Sequence, residues 1–272
     1  MDTRTRTVPH VAHEPAGHPV VADARWTEER RKLLAREKEL TRLHDQVASA
    51  RRALPWRRIA KRYVFDTPEG RRALGELFRG RRQLLVQHFM FGPGWEQGCP
   101  SCSFMADHVD GMAIHLAHRD IGFVAVSRAP LADILRFRER MGWRFDWVSS
   151  HGSDFNFDFH VSFTPEELAT GEVEYNYRKG FFPAEEAPGI SVFCRDDAGE
   201  VFHTYSTFGR GVEAMMGAYA LMDLAPQGRN ERDVFYKMEW VRHHDRYDMG
   251  QRFEPAPERL APPAAACPHC EG

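Results

Sequence analysis

The chain has 272 residues, 42% hydrophobic and 28% charged, an ordinary globular mix that needs no disulfide framework to build a core. Its 37 Lys and Arg against 39 Asp and Glu leave no net field to draw in nucleic acid or a membrane surface. Five cysteines are too few for a secreted disulfide scaffold. No apolar run approaches the ~20 residues of a bilayer span, and the first 25 residues lack a continuous apolar signal core. A reducing, cytoplasmic setting is therefore expected, in which paired thiols serve redox chemistry or metals.

Residues 1–22 carry scattered Pro, Gly and His without periodicity and are expected to be a disordered tail. The main domain is expected over 23–252, beginning with a helical arm at about 23–55. Thr27 would cap that helix, with Glu28 and Glu29 in its first turn. Leu33, Leu40, Leu43 and Val47 form one apolar stripe, and Leu54-Pro55 stops it. The stripe fits docking on the same chain or, over barely three heptads, a homodimer seam. Arg51, Arg52, Arg57, Arg58, Lys61 and Arg62 follow around Trp56. In a nearly neutral chain they are expected to form a solvated face rather than a nucleic-acid site.

Tyr63–Phe65 predicts a short strand, 66–70 a turn, and 74–78 a helical turn. Leu84–Phe91 is a nearly continuous apolar run, the pattern of a central strand buried on both faces. After Gly92-Pro93-Gly94 comes Cys99-Pro100-Ser101-Cys102, then a helix from Ser103 to about Leu116. A strand over 121–126, a helix over 131–141 and a strand over 143–148 complete an α/β pattern with parallel strands. Residues 155–163 (FNFDFHVSF) alternate throughout and predict a strand with Asn156, Asp158 and His160 on one face. Such a row lines a groove, holds a metal or is simply solvated. The segments 189–194 and 201–206 predict a hairpin around 196–199, and 211–224 a last helix.

The chemistry centres on Cys99-Pro100-Ser101-Cys102, placed between a buried strand and a helix. Free N–H groups at a helix start stabilise a thiolate, which makes Cys99 the nucleophile. Two intervening residues put Cys102 one turn on, where it resolves a mixed disulfide. Pro100 at the first helical position costs no hydrogen bond. The alternatives are two core thiols or half of a zinc site. No phosphate-binding glycine loop and no GxSxG stands in the sequence.

The order strand, CxxC, helix, strand, helix, then a hairpin after a proline resembles the thioredoxin fold. The runs 88–104 (HFMFGPGWEQGCPSCSF), 149–163 (SSHGSDFNFDFHVSF) and 189–211 (GISVFCRDDAGEVFHTYSTFGRG) resemble the thioredoxin-like family catalogued as domain of unknown function 899. The likeness extends from about Trp26 through RHHDRY at 242–247. It implies a central mixed sheet flanked by helices, with the arm in front and an insertion before the hairpin. It also implies a dithiol–disulfide oxidoreductase that uses Cys99 and Cys102 and has no settled substrate. The fold's loop proline falls on Pro188, which implies a cis Ala187–Pro188 bond beside Cys99. Where thioredoxin has a Trp just before the first Cys, this chain has Gly98, with Trp95 the nearest substitute. The site is thus expected to comprise Cys99 and Cys102, lined by Trp95, Pro100, Ser101 and Pro188.

Residues 253–272 form a Pro- and Ala-rich tail ending in a second pair, Cys267-Pro268-His269-Cys270. It is a tethered redox shuttle, a metal clip completed by His243 or His244, or an incidental pair of thiols. Cys194 is expected as a small core residue. Arg210 could orient a peroxide or carboxylate, or form a surface ion pair. The expected function is thiol–disulfide exchange on a protein or small-molecule disulfide, with a thiol reductant as partner and no cofactor beyond the Cys99–Cys102 disulfide. A thiol peroxidase-like enzyme and a non-catalytic zinc-binding scaffold are the alternatives. Stoichiometric zinc in protein purified reduced separates the scaffold from the enzymes.

Overall fold

Helix α1 (Asp23–Arg52), 30 residues long, accounts for most of the described part of the first of two units. The computed structural model describes residues 17–232 and 234–247, and the units are Met1–Leu54 and Pro55–Gly272. The helix starts at Asp23, so Ala22 and not Thr27 takes the capping place. Its surface is laced by Lys32–Glu28, Lys32–Glu29 and Arg36–Glu39 ion pairs, each adding a few tenths of a kcal/mol. None of its residues is buried.

The second unit is built on an eight-stranded sheet. In chain order come β1 (Arg57–Arg58), β2 (Val64–Thr67), β3 (Gly70–Ala73) and β4 (Gln83–His88), then α2 (Pro100–Ala106) and α3 (Val109–His118). Next are β5 (Ile121–Ser127), α4 (Leu131–Arg140) and β6 (Asp146–Ser149). An insertion follows with α5 (Phe155–Asp158), α6 (Pro165–Ala169) and a separate ribbon of β7 (Val173–Tyr175) and β8 (Arg178–Gly180). The hairpin of β9 (Gly189–Arg195) and β10 (Val201–Phe208) and helix α7 (Gly217–Met222) close the unit.

The sheet order is β1-β10-β9-β4-β5-β6-β2-β3. β4 runs parallel to β5 and antiparallel to β9. A strand leading into CxxC, a helical crossover to a parallel neighbour, and a terminal hairpin on its other side make the fold thioredoxin-like, with a mixed sheet between helices. The continuous apolar run is that central strand: Leu84, Val86, Gln87 and His88 are all buried. The short edge strands β1 and β3 each carry two consecutive arginines, at 57–58 and 71–72. Among the described residues, no helix is long and apolar enough to cross a membrane.

Four expected elements differ. Residues 155–163 are not a strand; Phe155–Asp158 is a helical turn, and His160 adopts a left-handed φ of 53°. The same aromatic spacing serves an i, i+4 pair, and the Phe155 and Phe159 rings lie 4.7 Å apart. Asn156, Asp158 and His160 therefore share no face: Asn156 is buried against the Ser150 hydroxyl, and Asp158 binds Lys61 and Tyr63. The helix after the cysteines is two helices, because Asp107 and His108 turn away to cap other elements. Asp107 accepts from the Trp143 indole, and His108 bonds to the Phe104 carbonyl and accepts from the Ala218 N–H. The strand expected from Trp143 begins only at Asp146, since the Arg144 and Phe145 N–H groups go to the Asp110 carboxylate. The last helix is shorter, preceded by a 3₁₀ segment over Gly209–Met215.

Candidate active site

Cys99 stands at the capping position of α2, with Pro100 in the first turn. Its N–H donates to the Met90 carbonyl at 3.0 Å, and its carbonyl accepts from the N–H and hydroxyl of Ser103, both at 2.9 Å. Cys102 is buried one turn on, with the Met90 N–H 3.5 Å from its sulfur and the Gln87 amide on its carbonyl. Residues 87–90, at the end of β4, thus fix both cysteines.

The two thiols are electrically opposed. The Cys102 thiol bonds to Cys99 and, against the cost of burial, joins the N–H groups of Cys102 and Ser101 and the Ser101 hydroxyl in bringing Cys99 down to about 7. Cys102 is pushed well up, first by giving its hydrogen bond to Cys99, then by burial and by the negative charge of Cys99. With α2 only seven residues long, the stabilisation comes from these nearby donors more than from a long helix dipole. Cys99 is half-buried, whereas Cys102 is 1% exposed.

Gly98 explains the missing tryptophan. A Cβ at this position would lie 2.6 Å from Phe89 and 2.9 Å from Phe137, so no larger side chain fits before Cys99. Gly98→Ala should overpack this contact, cost about 1–3 kcal/mol and displace Cys99. Denaturant unfolding measures the first, and the pH profile of thiol alkylation measures the second; an unchanged protein on both counts would contradict the packing argument.

A segment near the end of the described chain covers the same loop. Buried His243 donates from Nε2 to the Gly98 carbonyl at 2.9 Å, and its Nδ1 lies 3.3 Å from an Arg140 N–H, which fixes the tautomer. Burial holds His243 below the usual imidazole range. Arg140 also binds Gln97 at 3.2 Å and Asp245 through two bonds of 2.8 Å. His244 pairs with Asp107, the residue that caps the far end of α2.

Trp95, three residues ahead of Gly98, donates from its indole to Glu185 at 2.9 Å. The neighbouring Glu186 is buried, bonded to Ser162 at 2.6 Å and paired with Arg128 at 2.7 Å. Burial nevertheless keeps its carboxyl above the usual range, outweighing Arg128. The negative charge of Glu186 also raises Cys102, as the smallest of its causes.

The cis bond expected at Ala187–Pro188 is corrected: the bond is trans. The Pro188 carbonyl is committed to the Tyr175 hydroxyl at 2.7 Å, and the Ala187 N–H to Val161. These bonds anchor the chain in an extended run into β9. Glu185, Glu186, Arg128 and Arg140 escaped sequence reasoning, and His243 was singled out only as a metal ligand, not as the partner of Gly98. The acidic pair just ahead of Pro188 and the RHHDRY run were the available signals. Arg210 forms an ion pair with Glu213, and Cys194 is half-buried rather than in the core. His243 and His244 are engaged as described, and no group of three or more His, Cys, Asp or Glu suited to a metal occurs among the described residues. Cys267 and Cys270 lie outside the described residues.

A profile of a bacterial protein family of unknown function, DUF899, matches residues 15–247. No curated protein matches the chain in sequence. Solved structures similar to it include peroxiredoxin Q of Xanthomonas campestris, at 11% identity and a TM-score of 0.42 over 62% of this chain and 98% of that one. Another is the peroxidoxin BcpB of Mycobacterium tuberculosis, at 14% identity and a TM-score of 0.40 over 61% and 97%.

Proposed function

The chain belongs to the bacterial DUF899 family of unknown function, and from that premise we propose that it is a thiol–disulfide oxidoreductase with Cys99 as nucleophile and Cys102 as resolving thiol. The opposed thiols carry this proposal: Cys99 is brought to about 7 while buried Cys102 is held well up. A large fraction of Cys99 is then thiolate at neutral pH, near the optimum for attack on a disulfide.

Cys99 Sγ attacks one sulfur of a substrate disulfide, and the other sulfur leaves as thiolate. Cys102 loses its proton, attacks Cys99 Sγ and expels the second substrate thiolate, which takes up a proton. The Cys99–Cys102 disulfide forms, and two electrons have passed to the substrate. The reverse sequence oxidises a dithiol. The expected partners are a protein or small-molecule disulfide and a thiol reductant.

Cys99→Ser should abolish reduction of a disulfide probe, whereas Cys102→Ser should accumulate a mixed disulfide on Cys99, read by mass spectrometry. A mixed disulfide on Cys102 in the Cys99→Ser protein would reverse the roles. Full disulfide reduction without Cys99 would overturn the function, and turnover of peroxide through a sulfenic acid at Cys99 with no disulfide exchange would replace it.

A further inference from the structure

We propose that His243 is a positioning residue for the nucleophile: by holding the Gly98–Cys99 peptide, it keeps Cys99 at the head of α2, where the donors to its thiolate lie. The proposal rests on the redox function above and gives a part in it to the far end of the described chain.

The peptide joining Gly98 to Cys99 is one rigid plane, and it is bonded at both ends. Its oxygen accepts from His243 Nε2 at 2.9 Å, and its N–H donates to the Met90 carbonyl at 3.0 Å. Either bond alone leaves the plane free to swing about the other. Together they set its tilt, and with it the ψ of Gly98 and the φ of Cys99. Gly98 cannot do this for itself. It lacks the side chain that narrows the backbone of other residues, and Phe89 and Phe137 leave no room for one. Restraint on this peptide must come from outside, and His243 supplies it.

The tilt matters because of what surrounds Cys99. Its carbonyl is already held by the N–H and hydroxyl of Ser103. Its thiolate is served by the Cys102 thiol, the N–H groups of Cys102 and Ser101, and the Ser101 hydroxyl. Such donors weaken steeply once misaligned. Met90 also places its own N–H 3.5 Å from the Cys102 sulfur. A peptide turned away from Met90 would detach Cys99 from the strand end that fixes Cys102, and the two sulfurs would lose their common frame.

His243 is itself firmly seated, at 2% exposure. Helix α4 supplies two supports one turn apart. The Phe137 ring meets the imidazole edge-on, with centroids 5.2 Å apart, and Arg140 donates to Nδ1 at 3.3 Å. A donor at Nδ1 obliges the ring proton to sit on Nε2, facing Gly98. Arg140 is oriented in turn by two 2.8 Å bonds to Asp245, and it reaches the Gln97 side chain at 3.2 Å. Gln97 and Gly98, the two residues that lead into the cysteines, are thus gripped by one cluster. Burial holds the imidazole below its usual range, so at pH 7 it is neutral and both of its bonds are made.

The test reads the pH midpoint of Cys99 alkylation by iodoacetamide in the full chain, with the labelled site mapped by mass spectrometry. His243→Phe keeps a ring against Phe137 but has no donor. His243→Asn carries its amide at the place of Nδ1 and falls short of Gly98, whereas His243→Gln carries it at the place of Nε2. The Phe and Asn variants should raise the midpoint by about one unit, lowering the thiolate fraction at pH 6 about tenfold. His243→Gln should restore most of that shift. Asn is the smaller replacement and decides the matter if the Phe variant does not fold. A lower melting temperature with an unmoved midpoint in a folded Phe or Asn variant would reduce His243 to packing and overturn the proposal. An equal shift in His243→Gln would overturn it as well, since the donor would then be irrelevant. An ordinary thiol midpoint of about 8.5 in the unaltered chain would instead reject the redox function itself.

Discussion

Lowering the pH from 7 to 4.5 should remove about 3 kcal/mol of stability through His88 alone. This imidazole is 1% exposed, stacked near Phe155 and Phe159, and bonded from Nε2 to the Ser191 hydroxyl at 2.7 Å. Its Nδ1 has no partner, and burial brings it from 6.5 down to about 3, with a smaller contribution from His203. His203 terminates the same chain of hydroxyls through Ser206 and is brought down to about 4, chiefly by burial. Between these folded values and 6.5 the unfolded chain binds more protons. Stability is thus full above 6.5 and drains as the pH falls towards the folded values. Glu186 and Asp146, raised by burial, take up protons more readily when folded and act in the opposite sense. The decisive quantity is therefore a difference. His88→Phe should flatten the pH dependence of urea unfolding between pH 7 and 4.5 relative to the unaltered protein, while Ser191 keeps its bond to Ser206. Parallel curves for the two proteins would refute the assignment.

Glu186→Ala should destabilise the domain by about 3–5 kcal/mol, because it strands a nearly buried cation. Arg128 is 16% exposed in its side chain and Glu186 1%, so water offers the guanidinium little compensation. The variant also strips the Ser162 hydroxyl of its acceptor. Adding Arg128→Met should recover part of the loss, since the unpaired charge is then gone. Glu186→Gln should cost less and should lower Cys102, because the carboxylate charge is one of the causes that raise it. Chemical denaturation of the single and double variants supplies the cycle. A loss below about 1 kcal/mol for Glu186→Ala would place the pair among ordinary surface contacts.

What the sequence disclosed and what it withheld follow from the range of the interactions involved. The central strand, the parallel β5 and the terminal hairpin announced themselves because each buries apolar residues at a fixed local period. The cysteine pair was equally plain, since a strand, CxxC and a proline-led helix are contiguous. FNFDFHVSF failed because its aromatic spacing fits both a strand and an i, i+4 helical pair, and only the surrounding core selects between them. Glu186 meets Ser162 and Arg128, and His243 meets Gly98, across 24, 58 and 145 positions respectively. No local pattern encodes contacts of that length. Gly98 was visible as a departure from thioredoxin, but its reason is the approach of Phe89 and Phe137, a fact of packing.

The paired arginines on the two outermost strands bear on how the protein behaves in a crowd. An open sheet ends in unpaired N–H and C=O groups that would accept a strand from a neighbouring molecule. Here β1 is two residues long and β3 four, and both are largely exposed. An approaching copy would have to bring Arg57 and Arg58, or Arg71 and Arg72, against the same cations of its own rim. Short length and like charge together discourage stacking of sheets into fibres. The central strand, the most apolar stretch, sits three places in from the nearer rim and four from the other. A sheet whose eight strands could otherwise seed aggregation therefore keeps its stickiest segment within the ladder and ends in short, charged, exposed margins.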